Sequence, residues 1–392
     1  MDYKAPLLPS NTTVTFNDNE CYRHRRLSKW AITLSVIALT CTFLSGYSHY
    51  RSINNESCTI TTSSTFVGQE DQSVGALLES TLSSNGYWCP QPSDSWETVA
   101  SEFTVPASVY QGLDIQQKVS KHVNFQTGYA NVVVDDTIQE TTVHIDLSFY
   151  NPDDQEFVEI RTEERKSEGL LFLVIDLKHP HPVDNYRICL KADVTVTLSS
   201  SSVLNTLTLS LPNDVITVHG DDNPVFSSLV LRTANGRITT TEFVTSNSIV
   251  LSTANGGIQT SGLRGTNIEL STANGYIDAN IDSLSGNLIA SSANANIDIN
   301  IATISGTSSE VKVTTVNANI DVSLPDAFET SFDLSTVVGH NKIQSNDHPE
   351  KIHYKGSHNG RHVQGYYGDN KQQTENAVKV SSVSGRSSVV FV

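Results

Sequence analysis

The sequence predicts an all-β protein: a β-solenoid of about 20-residue coils, preceded by a β-rich capping region and one N-terminal transmembrane helix. Three observations carry this. First, Thr233-Ala234-Asn235-Gly236 recurs as Thr253-Ala254-Asn255-Gly256 and Thr272-Ala273-Asn274-Gly275, then decays to Ser292-Ala293-Asn294-Ala295 and Thr315-Val316-Asn317-Ala318. A fixed period of that size marks stacked supersecondary units. Second, each Asn is followed three residues later by Ile238, Ile258, Ile277, Ile297 or Ile320, and preceded at −4 and −6 by apolar residues such as Leu251 and Ile249. Polar residues mostly alternate with them, as in a strand with one buried face. Third, amphipathic helix formers are scarce, whereas Ser, Thr, Val, Ile and Asn are abundant.

A meander of hairpins and a solenoid both fit alternating strands closed by Asn-Gly, a pair that tolerates positive φ. Column identity favours the solenoid. Thr, Ala, Asn and Ile recur in the same column, which coil-on-coil stacking at about 4.8 Å explains. Stacked Asn235, Asn255, Asn274, Asn294 and Asn317 can hydrogen-bond along their column, as amides do in cross-β ladders.

From the N-terminus, residues 1–29 form a polar tail ending in Arg23, Arg25, Arg26 and Lys29. Residues 30–47, bounded by Trp30 and Tyr47, are uncharged and just long enough to span a bilayer. The basic cluster predicts a cytoplasmic N-terminus and an extracellular or lumenal ectodomain. A cleaved signal peptide is the rival reading, and the long polar region before the apolar run argues for a signal anchor. Residues 48–106 read as a Ser/Thr-rich stalk, with a glycosylation sequon at Asn55. Of the cysteines on the outer side, Cys58 and Cys89 are expected to pair near the membrane, leaving Cys189 as a buried thiol.

Residues 107–200 hold strand-like runs at Asn131–Val134, Thr142–Phe149, Phe157–Arg161, Leu170–Leu177 and Asp193–Leu198. They form either a small sheet domain or irregular first coils capping the stack. Residues 201–392 are the solenoid, with an insertion at about 342–377 expected to protrude as a hairpin. Val338 and Ser384 fall in the Asn column, and Val389–Val392 are expected to close the last coil.

The Thr-Ala-Asn-Gly-x-Ile repeats and the closing Val383-Ser384-Gly385 coil resemble the family named "putative adhesin", β-solenoid domains of unknown function found in bacteria and fungi. The basic tail, single anchor, Cys89-Pro90 and Phe103-Thr104-Val105-Pro106 are similar to its fungal membrane-anchored type. The resemblance covers Phe103 to Val392. It implies the fold and brings no catalytic residues.

Chemistry is sparse. The column after each Ile holds Thr239, Gln259, Asp278, Asp298 and Asp321, so three carboxylates would stack about 5 Å apart. Such a ladder is either a solvated face or a candidate Ca²⁺ site. His340, His348, His353, His358 and His362 crowd the insertion without matching a zinc-ligand spacing. Ser252, Ser271, Thr233, Thr253 and Thr272 form a hydroxyl array that also resembles ice-binding solenoids. No Ser-His-Asp signature, nucleotide-binding glycine loop or Cys-His quartet is present, so no cofactor is expected. A formal charge of −17 argues against nucleic acid as partner. The expectation is a non-enzymatic cell-surface adhesin or binding scaffold, held to a membrane by its helix and offering a repetitive polar face to glycans or surface proteins. A polysaccharide-active β-helix enzyme and a purely structural wall or membrane scaffold are the rival readings.

Overall fold

A computed structural model describes residues 89–90, 96–118, 122–178, 186–200, 204–219, 224–356, 360–369 and 375–392. The predicted tail and anchor, residues 48–88 of the stalk, Asn55 and Cys58 lie outside the described residues. Among the described residues no helix is long and apolar enough to cross a membrane.

The strands are, in chain order, β1 (Glu97–Val105), β2 (Gly112–Gln117), β3 (Val123–Gln126), β4 (Tyr129–Asp135), β5 (Thr141–Phe149), β6 (Val158–Arg165), β7 (Leu170–Leu177) and β8 (Ile188–Ser199). There follow β9 (Thr206–Ser210), β10 (Val215–Val218), β11 (Val225–Thr233), β12 (Ile238–Thr253), β13 (Ile258–Thr272), β14 (Ile277–Ser292), β15 (Ile297–Ile304), β16 (Glu310–Thr315) and β17 (Ile320–Leu324). The last are β18 (Thr330–Val338), β19 (Asn341–Ser345), β20 (Ile352–Tyr354), β21 (His362–Tyr367), β22 (Ala377–Ser384) and β23 (Ser387–Phe391).

The repeated columns lie directly on one another. Leu231, Leu251, Leu270, Ala290 and Val313 pair in parallel, one strand to the next, as do Ile238, Ile258, Ile277, Ile297 and Ile320. Both columns are buried. Burying one such side chain stabilises by roughly 1.5–3 kcal/mol, so the columns form a continuous apolar spine. β12, β13 and β14 each run through a bend where the register shifts, near Thr240/Phe243 in β12, and this divides each coil into two walls.

One wall runs β6-β7-β2-β9-β11, then the later halves of β12, β13 and β14, then β16-β22-β18-β21-β20. The other runs β1-β5-β8, then β3 and β4 side by side on β8, then β10, the earlier halves of β12, β13 and β14, and β15-β17-β23-β19. The region before residue 200 thus supplies the first, irregular coils: β2 and β4 stack in parallel with the repeats, while β1, β5 and β6 add antiparallel. The five runs named from the sequence are β4 to β8.

Four expectations need correction. Glu97–Val105, assigned to the stalk, is β1, paired along its whole length with β5. Cys89 joins Cys189 rather than Cys58, across 100 residues of sequence. The reason lies in packing: the Tyr150 amide donates to the Cys189 carbonyl, and the Trp96 ring packs at a tilt against Tyr150, so Cys89 and Trp96 both meet the end of β5 and the start of β8. The insertion forms the expected hairpin, β20 with β21, but its described strands pack onto the stack. Its β21 pairs antiparallel with β18, and its buried Tyr367 ring stacks on Phe391 at 3.7 Å. Finally, Val389–Val392 do not end the stack. β22 and β23 enter between the coil of β16 and β17 and the coil of β18 and β19, so the chain's last coil is the stack's second to last.

A core so narrow tolerates no charge. Ile277→Asp is expected to unfold several coils together, costing more than ~3 kcal/mol, whereas Asp278→Asn on the outward side leaves the urea midpoint unchanged or slightly raised. The opposite order would reverse the inward and outward assignment. Cys189→Ser is expected to cost about 2–5 kcal/mol, read from the same denaturation curves.

Candidate functional site

The coil turns are built by three side-chain columns. The buried Thr233, Thr253 and Thr272 hydroxyls each accept from the amide of the glycine three residues on, at 3.0 Å. Thr253 and Thr272 also donate to the glycine carbonyl of the coil before. Each turn glycine sits so close to that coil that a Cβ on Gly256 or Gly275 would lie 1.7 Å from a backbone oxygen. The glycines are therefore required by close approach; Gly236, Gly256 and Gly275 are not among the positive-φ glycines, contrary to the turn chemistry expected from Asn-Gly. These threonines point inward and leave the predicted hydroxyl array.

The asparagines form the expected ladder. Asn235, Asn255, Asn274, Asn294 and Asn317 each donate from Nδ2 to Oδ1 of the preceding rung, at 2.6, 2.7, 2.8, 2.8 and 2.9 Å. The rung beneath Asn235 is Asn213, whose own amide donates to the Phe125 carbonyl. Sequence reasoning missed it, since Pro212-Asn213-Asp214 shares only the asparagine with the repeat. Above Asn317 the column continues with Ser384 and then Val338, as the sequence predicts.

Next to Asn213, Asp214 is fully buried. Its carboxylate accepts from Gln117 Nε2 at 2.7 Å and from the Gly128 amide at 3.1 Å. Gln117 Oε1 is buried without a partner among the described residues. Burial pushes the Asp214 carboxyl up to about 7; nearby Asp193 adds to this, and the two hydrogen bonds oppose it. A protonated Asp214 would offer a donor to the amide, giving an acid–amide pair that joins the first coil turn to β2.

The outward faces carry the candidate binding groups. On one wall Gln259, Asp278, Asp298 and Asp321 occupy one column in register. Beside them Asn300 donates to Asn280 Oδ1 at 3.3 Å. Partial burial, then the charges of Asp278 and Asp321, raise the Asp298 carboxyl above its ordinary value. Arg386 reaches Asp321 at 3.4 Å. Among the described residues no three or more His, Cys, Asp or Glu side chains are placed to hold a metal ion. The other wall carries a row of hydroxyls on successive strands, Ser252, Ser271, Ser291, Thr314, Ser381 and Ser335, and Ser271 donates to Ser252 at 3.0 Å.

The histidines disperse. His348 meets Glu350 at 3.0 Å, His362 meets Asp333 at 3.0 Å, and His353 stacks on Tyr366; His358 lies outside the described residues. Two exposed or half-exposed aromatics fill space above glycines: Tyr276 lies across Gly257, and Phe243 across Gly262 with Arg264 over its ring at 4.2 Å.

The fold and faces define a parallel coiled β-stack whose ordered surface groups are set by the repeat. The chain belongs to the Toastrack DUF4097 family, whose sequence model matches residues 110–389. No curated protein matches it. Among solved structures it is similar to a Parabacteroides distasonis protein described as a "putative adhesin" (14% identity, 76% of this chain and 98% of that one, TM-score 0.38). It is also similar to a Bacteroides fragilis protein of the same description (15%, 78% and 100%, 0.34), and to a P. distasonis "putative lipid binding protein" (11%, 75% and 96%, 0.39). At these scores the likenesses bear on nothing further.

Two outcomes test the site. Asp214 has a folded pKa above the roughly 3.9 of an unfolded aspartate, so the folded state holds the extra proton between the two values. Stability then falls as pH rises from about 4 to about 7 and levels off above, by on the order of 2–4 kcal/mol. Asp214→Asn should flatten that slope in thermal unfolding between pH 5 and 8; an unchanged slope refutes the assignment. For the Asp278, Asp298 and Asp321 column, millimolar CaCl₂ and NaCl of equal ionic strength should raise the unfolding temperature alike, through screening. A calcium-specific rise abolished by Asp298→Asn would instead make the column a metal site.

Proposed function

We propose that the protein is a non-enzymatic cell-surface binding scaffold, held to a membrane by residues 30–47 with its C-terminal part outside, and that it contacts glycans through the wall bearing Asp278, Asp298, Asn280 and Asn300. The observation that carries this reading is register. Amides and carboxylates recur at strand spacing on a wall fixed by backbone pairing. A repeating polymer meets such a row with several weak contacts at once, and these add through effective concentration. Sugar hydroxyls both donate and accept, which suits alternating amide and carboxylate partners.

A polysaccharide-cleaving enzyme would need its paired carboxylates inside a cleft, one raised to act as acid. Here the acidic column occupies outward positions of adjacent strands, with Asp278 and Asp298 exposed. This favours contact over cleavage.

Screening a soluble fragment that begins ahead of Cys89 on a glycan array should show binding that strengthens with oligomer length. Replacing Asn280 and Asn300 together by Ala should weaken it roughly tenfold, as two hydrogen-bonding groups are lost, while thermal unfolding stays within a few degrees. Hydrolysis of a bound polymer, or binding indifferent to chain length and to the double replacement, would contradict the reading.

A further inference from the structure

Among the described residues five strands, β1, β3, β6, β19 and β20, pair on one side only, and they differ in how their free edges are guarded; β3 is only four residues long. An unpaired strand edge is a template for another strand, and proteins blunt it with charge, proline, shortness or a covering loop. β6 carries Glu159, Arg161, Glu163, Glu164 and Arg165 within eight residues. β20 is three residues long. β19 is five, and the Asn341 amide and side chain bond to the carbonyls of Gly360 and Arg361 in the loop beside it. Among the described residues β1 has none of these devices. It is nine residues long, contains no Lys, Arg or Pro, and its only charges are Glu97 and Glu102.

Among the described residues β1 pairs with β5 alone. Its side chains alternate: Val99, Ser101 and Phe103 are half-covered, while Thr98, Ala100, Glu102 and Thr104 face outward and are exposed. Val99 and Phe103 pack against the core from one side only, because the sheet stops there. Cys89 is held to Cys189 on β8, two strands inward from the edge, and Trp96 packs on Tyr150.

We propose that β1 is a self-association edge: a second copy of the chain adds its own β1 antiparallel, about a two-fold axis through Ser101, continuing the wall across both molecules. The strand is complementary to itself in that register. Val99 falls opposite the partner's Phe103, so the half-covered apolar side chains complete each other. Thr98 falls opposite the partner's Thr104, and Ala100 opposite the partner's Glu102, so the carboxylates never meet. A C2 contact of this kind needs a patch that matches its own copy. The occupant is therefore this chain itself, and strand addition supplies main-chain hydrogen bonds along the edge.

The test uses the full chain, in mild detergent. Sedimentation at increasing concentration should show a reversible dimer, and hydrogen exchange at residues 97–105 should slow as concentration rises. Thr98→Lys with Thr104→Lys places like charges opposite each other twice across the axis, and should raise the dimer Kd roughly tenfold. Thr98→Glu with Thr104→Glu should do the same. An equimolar mixture of the two double variants should restore association, since opposite charges then face each other. Both positions are exposed, and unchanged thermal unfolding will show that the variants keep their fold. A wild-type protein that stays monomeric at the highest concentration overturns the proposal. So does a dimer that ignores both double variants, or one that forms without slowing exchange in β1.

Discussion

Everything in the stack depends on how closely each coil lies on the one before it. Parallel pairing fixes the separation at about 4.8 Å, and at the turns nothing fits between the coils: a single Cβ on Gly256 would collide with the carbonyl of Gly236. That spacing leaves little freedom for any column. A side chain sits directly above its counterpart, so it must either pack on it, as Ile258 does on Ile238, or bond to it, as Asn255 does to Asn235. Like residues satisfy both demands most easily, because an amide offers both a donor and an acceptor. The repeat in the sequence is the trace of this geometry. Where it weakens, toward Ser384 and Val338, the amide ladder stops as well.

This explains what could be read from residues alone. Period, inward isoleucines, outward aspartates and the asparagine ladder all follow from local pattern, because each column needs only its own identity to be recognised. Other features depend on which segments become neighbours. Cys189 finds Cys89 only once β8 lies beneath the segment before β1, and nothing local to either cysteine encodes that. Asn213 was hidden because its turn supplies the amide but not the threonine and glycine around it. Asp214 carries no local mark of burial, because its partners Gln117 and Gly128 lie far away in the sequence. The order of the final coils is likewise silent in the sequence: β22 matches the repeat equally well at the end of the stack or one place inside it. Its true place is decided by the β20–β21 hairpin, which covers β18 and turns the chain back.

The same regularity shapes the functional reading. A wall built by register offers its polar groups at fixed intervals, and an outward array of this kind suits extended ligands better than compact ones. The carboxylates of the array are tolerable because they face solvent and because Arg386 offsets the last of them. Among the described residues the ends of the stack are treated unequally, with β6, β19 and β20 guarded and β1 open. Two copies joined at β1 would double the number of contacts made at once, and weak repetitive binding gains most from that.

The most direct test of this architecture is the order of the last coils, because it follows from stacking and contradicts the order of the chain. Lys312, Lys379 and Asp333 occupy one outward column on three adjacent strands. Cysteine pairs introduced at 312 with 379, and at 379 with 333, should cross-link rapidly under mild oxidation, as neighbouring strands meet the reach of a disulfide. A pair at 312 with 333, separated by a whole strand, should not. Rapid cross-linking of 312 with 333, with 312 and 379 failing to join, would mean that the coils stack in chain order and that the C-terminal coil is not threaded between its predecessors.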